Sequence, residues 1–241
     1  HGPPGSGKST LALSGPGPRL IMDAEAGSHH AHRVLDGEIE LAKLDRWHPG
    51  NPVPTTCEDT CVVSITDYSQ LGAVYEGLRN NPHPFRTVII DSITEIQQRL
   101  HDSIRKEKGR EQFQQNDWGV SKTKLTTFVR DIRDLSVHPD NPIAVTVFIA
   151  LTKEAGDSGS MVKTPDLEGG AARTLPGSVD LVGYASLAMD GEGAENQGLL
   201  LGGNPGIIAK TRSPLIRQQW GSVIVNPNLQ ELFESIQEEN N

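Results

Sequence analysis

The chain has 241 residues, a length that suits one α/β domain, and we expect a single domain over residues 1–241. Its 22 Lys and Arg residues against 31 Asp and Glu residues give a formal net charge of −9, which argues against a surface coated in positive charge for wrapping nucleic acid or anionic membrane. The sequence contains no apolar run of about 18 residues, so it predicts no transmembrane helix and no membrane partner.

A glycine-rich motif opens the chain. Residues 2–10 read GPPGSGKST and match the phosphate-binding pattern G-x-x-x-x-G-K-[ST]. Glycines allow such a loop to curl, so that backbone N–H groups point at phosphate oxygens. Lys8 is expected to reach the β- and γ-phosphates of a nucleotide, and Ser9 to ligate Mg²⁺. The predicted nucleotide site comprises Gly2, Pro3, Pro4, Gly5, Ser6, Gly7, Lys8, Ser9 and Thr10. The alternative is a glycine-rich turn that matches the pattern by chance.

A phosphate-binding loop of this kind ordinarily connects a β-strand to a helix, and only His1 precedes Gly2. We therefore expect the first strand to be missing from these residues. Its absence would leave an open position in the sheet, and the parent chain would be longer.

Two apolar segments that read as buried strands each end in acidic residues. Leu20–Met22 runs into Asp23 and Glu25, and residues 88–90 run into Asp91. Ligands of open α/β sheets bind at the carboxyl ends of the strands, so Asp91 is expected to hold Mg²⁺ and Glu25 to activate the attacking water. The alternatives are an exposed strand-end aspartate for Asp91, and an acidic loop or helix cap for Glu25.

Cys57 and Cys61 are the two cysteines of the chain. Two thiols cannot build a disulfide framework, and a zinc site would need distant histidines to complete four ligands. We therefore favour free thiols in a reducing cytoplasm.

Helical periodicity and apolar runs alternate through the middle of the chain, which predicts a largely parallel sheet. Helices are predicted over 67–80 (with Asp67 as N-cap), 92–106, 118–137 and 228–238, and a strand over 143–151. Segments 179–190, 197–202 and 206–211 read as strands joined by short turns, which favours an antiparallel C-terminal extension.

Two loops, residues 105–119 and 153–176, carry local positive charge and are candidates for contact with single-stranded DNA. The first contains Arg105, Lys106, Lys108 and Arg110, and the second contains Lys153, Lys163 and Arg173. The alternatives are a solvated helix end for the first loop and a disordered lid for the second.

Several nucleotide-binding classes are disfavoured. The nearest match to a guanine-reading [NT]-K-x-D motif is Thr152-Lys153-Glu154-Ala155, which ends in alanine. The chain has neither an LSGGQ-like signature nor an arginine-rich lid of small-molecule kinases.

What remains resembles RecA-type recombinases. More closely, the chain resembles the compact RecA-like phage ATPases of single-strand annealing and recombination, which are nucleotide-binding proteins of AAA type. The resemblance is carried by GPPGSGKST, LIMDAEAG, TVIIDSITEIQ, NDWG, IAVTVFIALTKE, PDLEGGAARTLPGSVDLV and GIIAKTRSPL, which together span most of residues 2–215.

The resemblance implies an α/β RecA-like core that binds ATP and Mg²⁺, acts on single-stranded DNA and assembles as a homo-oligomeric ring or filament. It implies that Glu25 is the catalytic base, Asp91 the metal-binding acid and Thr152 a polar sensor, although RecA itself uses glutamine there. Lys210 and Arg212 would reach the γ-phosphate of a neighbouring subunit; the alternative is a strand-end salt bridge. Rival functions are a helicase-like ring motor or loader, a nucleotide-gated DNA-binding scaffold, and a small-molecule kinase. A cytoplasmic location in a bacterium or phage-infected cell follows from the same resemblance.

Overall fold

The computed structural model describes residues 1–28, 32–35, 38–41, 43–156, 160–189 and 195–239. The helices of this part are α1 (Lys8–Leu13), α2 (Gln70–Asn80), α3 (Ile93–Lys108), α4 (Gln115–Asp134), α5 (Ala171–Ser178), α6 (Pro214–Trp220) and α7 (Leu229–Glu239). The strands are β1 (Arg19–Asp23), β2 (His32–Leu35), β3 (Glu38–Leu41), β4 (Leu44–Trp47), β5 (Thr60–Ser64), β6 (Thr87–Asp91), β7 (Val145–Ile149), β8 (Thr152–Ala155), β9 (Val162–Pro165), β10 (Leu181–Val182), β11 (Tyr184–Met189), β12 (Glu195–Leu200), β13 (Lys210–Thr211) and β14 (Val223–Val225).

Five parallel strands form the main sheet, in the order β4-β5-β1-β6-β7. The register aligns Asp23 at the end of β1 with Asp91 at the end of β6 and with Ser64 at the end of β5. Because the strands are parallel, their carboxyl ends lie along one edge of the sheet. The predicted parallel sheet is confirmed, and its register brings the acidic strand ends together.

Successive residues of each central strand point to opposite faces of this sheet, and both faces are covered. Leu20, Met22, Val88 and Ile90 belong to the larger core, which also holds the buried side chains of α2, α3 and α4. Ile21, Val62 and Ile89 belong to a smaller core with Ala12 and Leu13 of α1. Burial on both faces explains the continuous apolar runs in the sequence.

The predicted antiparallel extension is also confirmed. β11, β12 and β14 form an antiparallel sheet, and β10 pairs with β13 in the same sense. Buried side chains of this sheet, such as Leu199 and Ile224, pack with Ile216 of α6 and Leu232 of α7. This third core attaches the C-terminal part of the chain beside α1.

Several predicted boundaries were wrong. The helix predicted over 67–80 begins at Gln70, and the Asp67 carboxylate accepts a hydrogen bond from Ser69 N instead of capping the helix. The helix predicted over 118–137 begins at Gln115 and ends in a short 3₁₀ turn. Of the strand predicted over 206–211, only Lys210–Thr211 is a strand.

The two predicted DNA loops are also more ordered than the sequence suggests. Helices α3 and α4 leave only residues 109–114 as a connection within 105–119. The segment 153–176 contains most of the β8–β9 hairpin and of helix α5, although residues 157–159 lie outside the described part. Ala171 and Leu175 of α5 are buried in the main core, so tertiary packing forms this helix despite its Gly and Pro content.

A cavity of about 870 Å³ runs along β7, which pairs with β6 on one side. Its walls include Val147 of β7, Leu175 of α5, Leu181 of β10 and Leu232 of α7. At one end, the backbone of His1–Gly2 bridges Ala150 O and Ala185 N. This end of the cavity therefore lies next to the backbone that leads into the phosphate-binding loop.

Within the described ranges, no helix is both long and apolar enough to cross a membrane.

Candidate active site

The glycine-rich loop curls as the motif predicts. Gly5 and Gly7 both have φ of 75°, in the left-handed region that favours glycine. Gly2 lies against the neighbouring strand, where a Cβ atom would be 2.4 Å from Ala185 O. Gln197 of β12 lies over the loop and donates a hydrogen bond to Ser6 O at 2.9 Å. The antiparallel extension therefore supports the outer surface of the phosphate-binding loop.

Lys8 folds back over this loop. Its Nζ donates to Gly2 O at 3.1 Å and to Pro3 O at 2.7 Å. Partial burial lowers the Lys8 pKa, and the carboxylates of Asp91 and Glu25 oppose that shift. The ammonium group is thus held at the loop by contacts that phosphate oxygens can replace.

Ser9 and Asp91 meet across the edge of the sheet, where Ser9 Oγ donates to Asp91 Oδ2 at 2.8 Å. Burial raises the Asp91 pKa to about 6, against the lowering effect of the Ser9 hydrogen bond, and the nearby Glu25 and Asp23 carboxylates raise it further. A divalent cation would relieve this unfavourable concentration of negative charge.

These two side chains fit Mg²⁺, which is commonly held by one or two carboxylates together with substrate phosphates and several waters. Ser9 Oγ and the Asp91 carboxylate would hold the ion, and the other ligands would come from nucleotide and solvent. The absence of any cluster of three or more His, Cys, Asp or Glu metal ligands in the described ranges is compatible with such a site. When bound, Mg²⁺ would supply neutralisation of phosphate charge.

Asp23 and Glu25 have different surroundings although they are two residues apart. Asp23 is buried, and its carboxylate accepts hydrogen bonds from Gly27 N and Ser28 N. Glu25 is exposed, and one of its carboxylate oxygens accepts a short hydrogen bond from Ser92 Oγ. Asp23 therefore closes the turn after β1, and Glu25 is the carboxylate available to solvent.

A family model described as an AAA domain matches residues 1–213. The chain belongs to the AAA domain family. The P-loop ATPase class predicted from the sequence is thereby supported at the level of this family. A comparison with curated proteins gave no match.

In this AAA domain, Thr152 is connected to the phosphate-binding loop through His1. Thr152 Oγ1 lies 2.8 Å from His1 Nδ1, and His1 Nε2 lies 2.7 Å from Ile208 O. A carbonyl oxygen only accepts, so Nε2 carries the proton, and in the neutral ring Nδ1 accepts from the threonine hydroxyl. Thr152 thus contacts the residue before Gly2, and its role as a sensor stays a prediction.

Lys210 and Arg212 lie at and just beyond β13. Arg212 donates to Asp180 Oδ1 at 2.9 Å and to Gly177 O at 2.7 Å. Burial is the main cause of a lowered Lys210 pKa, and the positive charge of the neighbouring Arg212 lowers this pKa further. Among the described residues, no hydrogen bond joins this pair to the phosphate-binding loop of the same chain. Their action on the γ-phosphate of a neighbouring subunit stays a prediction.

The basic side chains of the two predicted DNA loops largely have intramolecular partners. Lys108 and Arg110 both bind the carboxylate of Asp117, which is buried at the start of α4. Hydrogen bonds that its carboxylate accepts, chiefly from the Gln114 backbone N–H and also from the Lys108 side chain, lower the Asp117 pKa to about 2. In the second loop, Lys153 lies 3.2 Å from Asp166. The positive charge available to a nucleic acid is therefore smaller than the sequence suggests.

Sequence reasoning missed four residues around the site: His1, Ser92, Arg99 and Gln197. Ser92 had a detectable signal, because a serine before an apolar-periodic segment is typical of a helix N-cap. His1, Arg99 and Gln197 are placed by hydrogen bonds to Ile208 O, Thr66 O and Ser6 O, which are 207, 33 and 191 positions away in the chain. No local pattern indicates contacts of that range.

Proposed function

We propose that this AAA domain is a RecA-like, Mg²⁺-dependent ATPase whose turnover is stimulated by single-stranded DNA. It would act as a homo-oligomeric ring or filament in recombination or annealing, in the cytoplasm of a bacterium or a phage-infected cell. The observation that supports the ATPase chemistry is the meeting of Lys8, Ser9, Asp91 and Glu25 at one edge of the sheet.

Each of these residues has a distinct role in hydrolysis. Lys8 binds the β- and γ-phosphates, and Ser9 and Asp91 would hold Mg²⁺. A water oxygen attacks the γ-phosphorus and transfers a proton to the Glu25 carboxylate, while the bond to the β-phosphate oxygen breaks and its electron pair leaves with ADP. Ser92 binds Oε1 of Glu25, so Oε2 is the oxygen that would accept this proton.

The convergence of the two predicted DNA loops supports the proposed action on DNA. We call the surface formed by Arg105, Phe113 and Trp118 the aromatic surface. Phe113 and Trp118 have ring centroids 4.9 Å apart, Arg105 lies over Phe113, and Trp118 is 37% exposed. A Cβ atom at Gly169 would lie 3.4 Å from the Trp118 ring, so the second loop touches the first. An exposed indole in a cluster with a second aromatic ring and a guanidinium group is the chemistry that stacks unpaired bases.

The deciding experiment measures ATP turnover with and without single-stranded DNA, for the wild-type chain and for Lys8→Ala. We expect DNA to increase turnover several-fold, with a steep decrease as salt rises, and Lys8→Ala to abolish it. Equal turnover with and without DNA would overturn the DNA part of the proposal. Absent turnover with retained nucleotide-dependent DNA binding would favour the scaffold. Six-fold particles without DNA would favour the ring motor or loader, and phosphoryl transfer to an acceptor other than water would favour a kinase.

The aromatic surface has its own test in the same assay. Trp118→Ala should remove most of the DNA stimulation, because loss of one stacked base costs about 1–3 kcal/mol, and should leave turnover without DNA within two-fold. Trp118→Phe keeps an aromatic ring and should retain part of the stimulation. Lys106→Ala should weaken stimulation, while Lys43→Ala, on an exposed lysine paired with Glu58, should not. Full stimulation of Trp118→Ala would show that DNA is not bound there.

A further inference from the structure

The turn that carries Glu25 contains an unusual backbone conformation. Ala26, the next residue, has φ of 58°, in the left-handed region that residues other than glycine rarely adopt. The surrounding contacts must therefore hold this turn in place. Asp23 supplies two of them through Gly27 N and Ser28 N, and Ala24 N donates to Asp91 O at 2.7 Å.

Arg99 of α3 holds the same turn from the other side. Its Nη2 donates to Ala24 O, its Nη1 donates to Thr66 O at 3.0 Å, and it lies 3.3 Å from the Glu95 carboxylate. Ala24 follows β1 and Thr66 follows β5, so one guanidinium joins the loops at the ends of two neighbouring strands. A lysine has a single nitrogen and cannot reproduce this planar fork.

Ser92 contacts the carboxylate itself. Its side chain is fully buried, and its oxygen accepts a hydrogen bond from Glu95 N at 3.2 Å as the N-cap of α3. The hydroxyl has one proton, which it donates to Glu25 Oε1. The start of α3 therefore fixes one carboxylate oxygen and leaves the other available.

We propose that Ser92 and Arg99 are positioning residues that hold Glu25 in the orientation needed to accept a proton from the attacking water. This inference rests on the proposed hydrolysis with Glu25 as base. Arg99 fixes the backbone of the turn, and Ser92 fixes the carboxylate at its end. Both residues would act through Glu25, so their loss affects turnover and leaves nucleotide affinity nearly unchanged.

The test is steady-state ATP hydrolysis by Ser92→Ala, Ser92→Thr, Arg99→Lys and Glu25→Gln, together with equilibrium titration of a fluorescent ATP analogue. Ser92→Ala and Arg99→Lys should each lower kcat about tenfold with KM and analogue affinity within two-fold, as expected for one lost orienting hydrogen bond. Ser92→Thr, which keeps the hydroxyl, should restore most of kcat.

Two matched controls separate positioning from stability. Asn228→Ala removes the side-chain cap of α7, and Arg133→Lys alters an arginine of α4 that also donates to a backbone carbonyl, that of Ser178. Both should leave kcat within two-fold.

The outcomes distinguish this inference from the proposed function. If Glu25→Gln is inactive and Ser92→Ala keeps wild-type kcat, Ser92 is only a helix cap and the inference is wrong. An equal loss of kcat in Ser92→Ala and Ser92→Thr, or in Arg99→Lys and Arg133→Lys, also overturns it. If Glu25→Gln itself keeps wild-type kcat, the assignment of the base fails first.

Discussion

At the scale of single residues, Asp91 shows the conflict between folding and function most clearly. It lies at a partly buried strand end with the Asp23 and Glu25 carboxylates nearby, and its pKa is raised to about 6. A charged Asp91 therefore costs stability in the absence of a cation. A divalent cation binds the same negative charge, so the residue that lowers the stability of the ion-free protein is the one that binds the ion.

This conflict predicts a pH-dependent gain in stability for Asp91→Asn without Mg²⁺. A folded-state pKa above the ordinary aspartate value of 3.8 means that the folded chain binds the proton more tightly, so the wild type loses stability as pH rises from there to about 6 and no more above it. We expect the variant to have a melting temperature several degrees higher above pH 6, from up to about 3 kcal/mol, and no higher at acidic pH. Thermal unfolding in a chelator checks this.

A control for this prediction is Asp140→Asn, at an exposed aspartate. It should show no such difference at any pH. Addition of Mg²⁺ and nucleotide should reverse the order and make the wild type the more stable protein. Equal melting temperatures for Asp91→Asn and wild type throughout the pH range would contradict the prediction.

At the scale of elements, α3 connects the nucleotide site to the aromatic surface. Its N-cap Ser92 lies beside Glu25, and near its other end Arg105 lies over the ring of Phe113. Between these ends, Gln97 is 1% exposed and forms two hydrogen bonds with the backbone of Glu168, one in each direction. The side chain of Gln97 thus attaches α3 to the turn that holds Gly169 against Trp118.

This attachment predicts that Gln97→Ala loosens the second loop. The change leaves both the N–H and the carbonyl of Glu168 without this partner, which should cost about 1–3 kcal/mol of unfolding free energy. Under the proposed function, DNA stimulation of turnover should fall while turnover without DNA stays within two-fold. Denaturant unfolding and the ATPase assay measure the two effects.

Gln98→Ala, on the exposed face of the same helix, is the matched control, and equal stability of the two variants would contradict the prediction.

At the scale of the whole molecule, two features can be tested by adding another segment or subunit. One is the cavity beside β7, and the other is the exposed Arg212. β7 is five residues long, so a parallel strand beside it would span about 17 Å. The walls around it are largely apolar, as expected for a strand buried on both faces.

An apolar extension placed before His1 should therefore stabilise the protein. Six Val and Ile residues would pair with β7 and bury their side chains in the cavity, and we expect a rise in melting temperature of about 5 °C or more. A Gly-Ser extension of the same length controls for added chain. Thermal unfolding of the two forms decides the matter, because equal melting temperatures would show that the cavity does not take a strand.

The proposed role of Arg212 is tested by mixing subunits. Arg212→Ala and Glu25→Gln should each be inactive alone, but mixed oligomers should regain about a quarter of wild-type turnover, because an intact Glu25 then meets a neighbour's intact Arg212 at some interfaces. Mixing Glu25→Gln with the double variant Glu25→Gln, Arg212→Ala should regain nothing. Failure of the first mixture to regain activity would place Arg212 in its Asp180 salt bridge alone.

The sequence by itself determined the phosphate-binding loop, the acidic strand ends and the main helices. These features depend on local patterns: fixed glycines, apolar runs ending in carboxylates, and helical periodicity. It missed β5, a strand buried on both faces whose Cys61 and polar flanking residues gave no clear strand signal, and α5, whose Gly and Pro content outweighed its buried Ala171 and Leu175.

Only the tertiary structure decided what surrounds Glu25 and the phosphate-binding loop. Ser92 is 67 positions from Glu25, Arg99 is 75 from Ala24 and Gln197 is 191 from Ser6. Such contacts depend on strand register and helix packing, which local patterns do not encode. The same packing placed Asp117 against Lys108 and Arg110, and so turned a basic stretch of sequence into a partly neutralised surface.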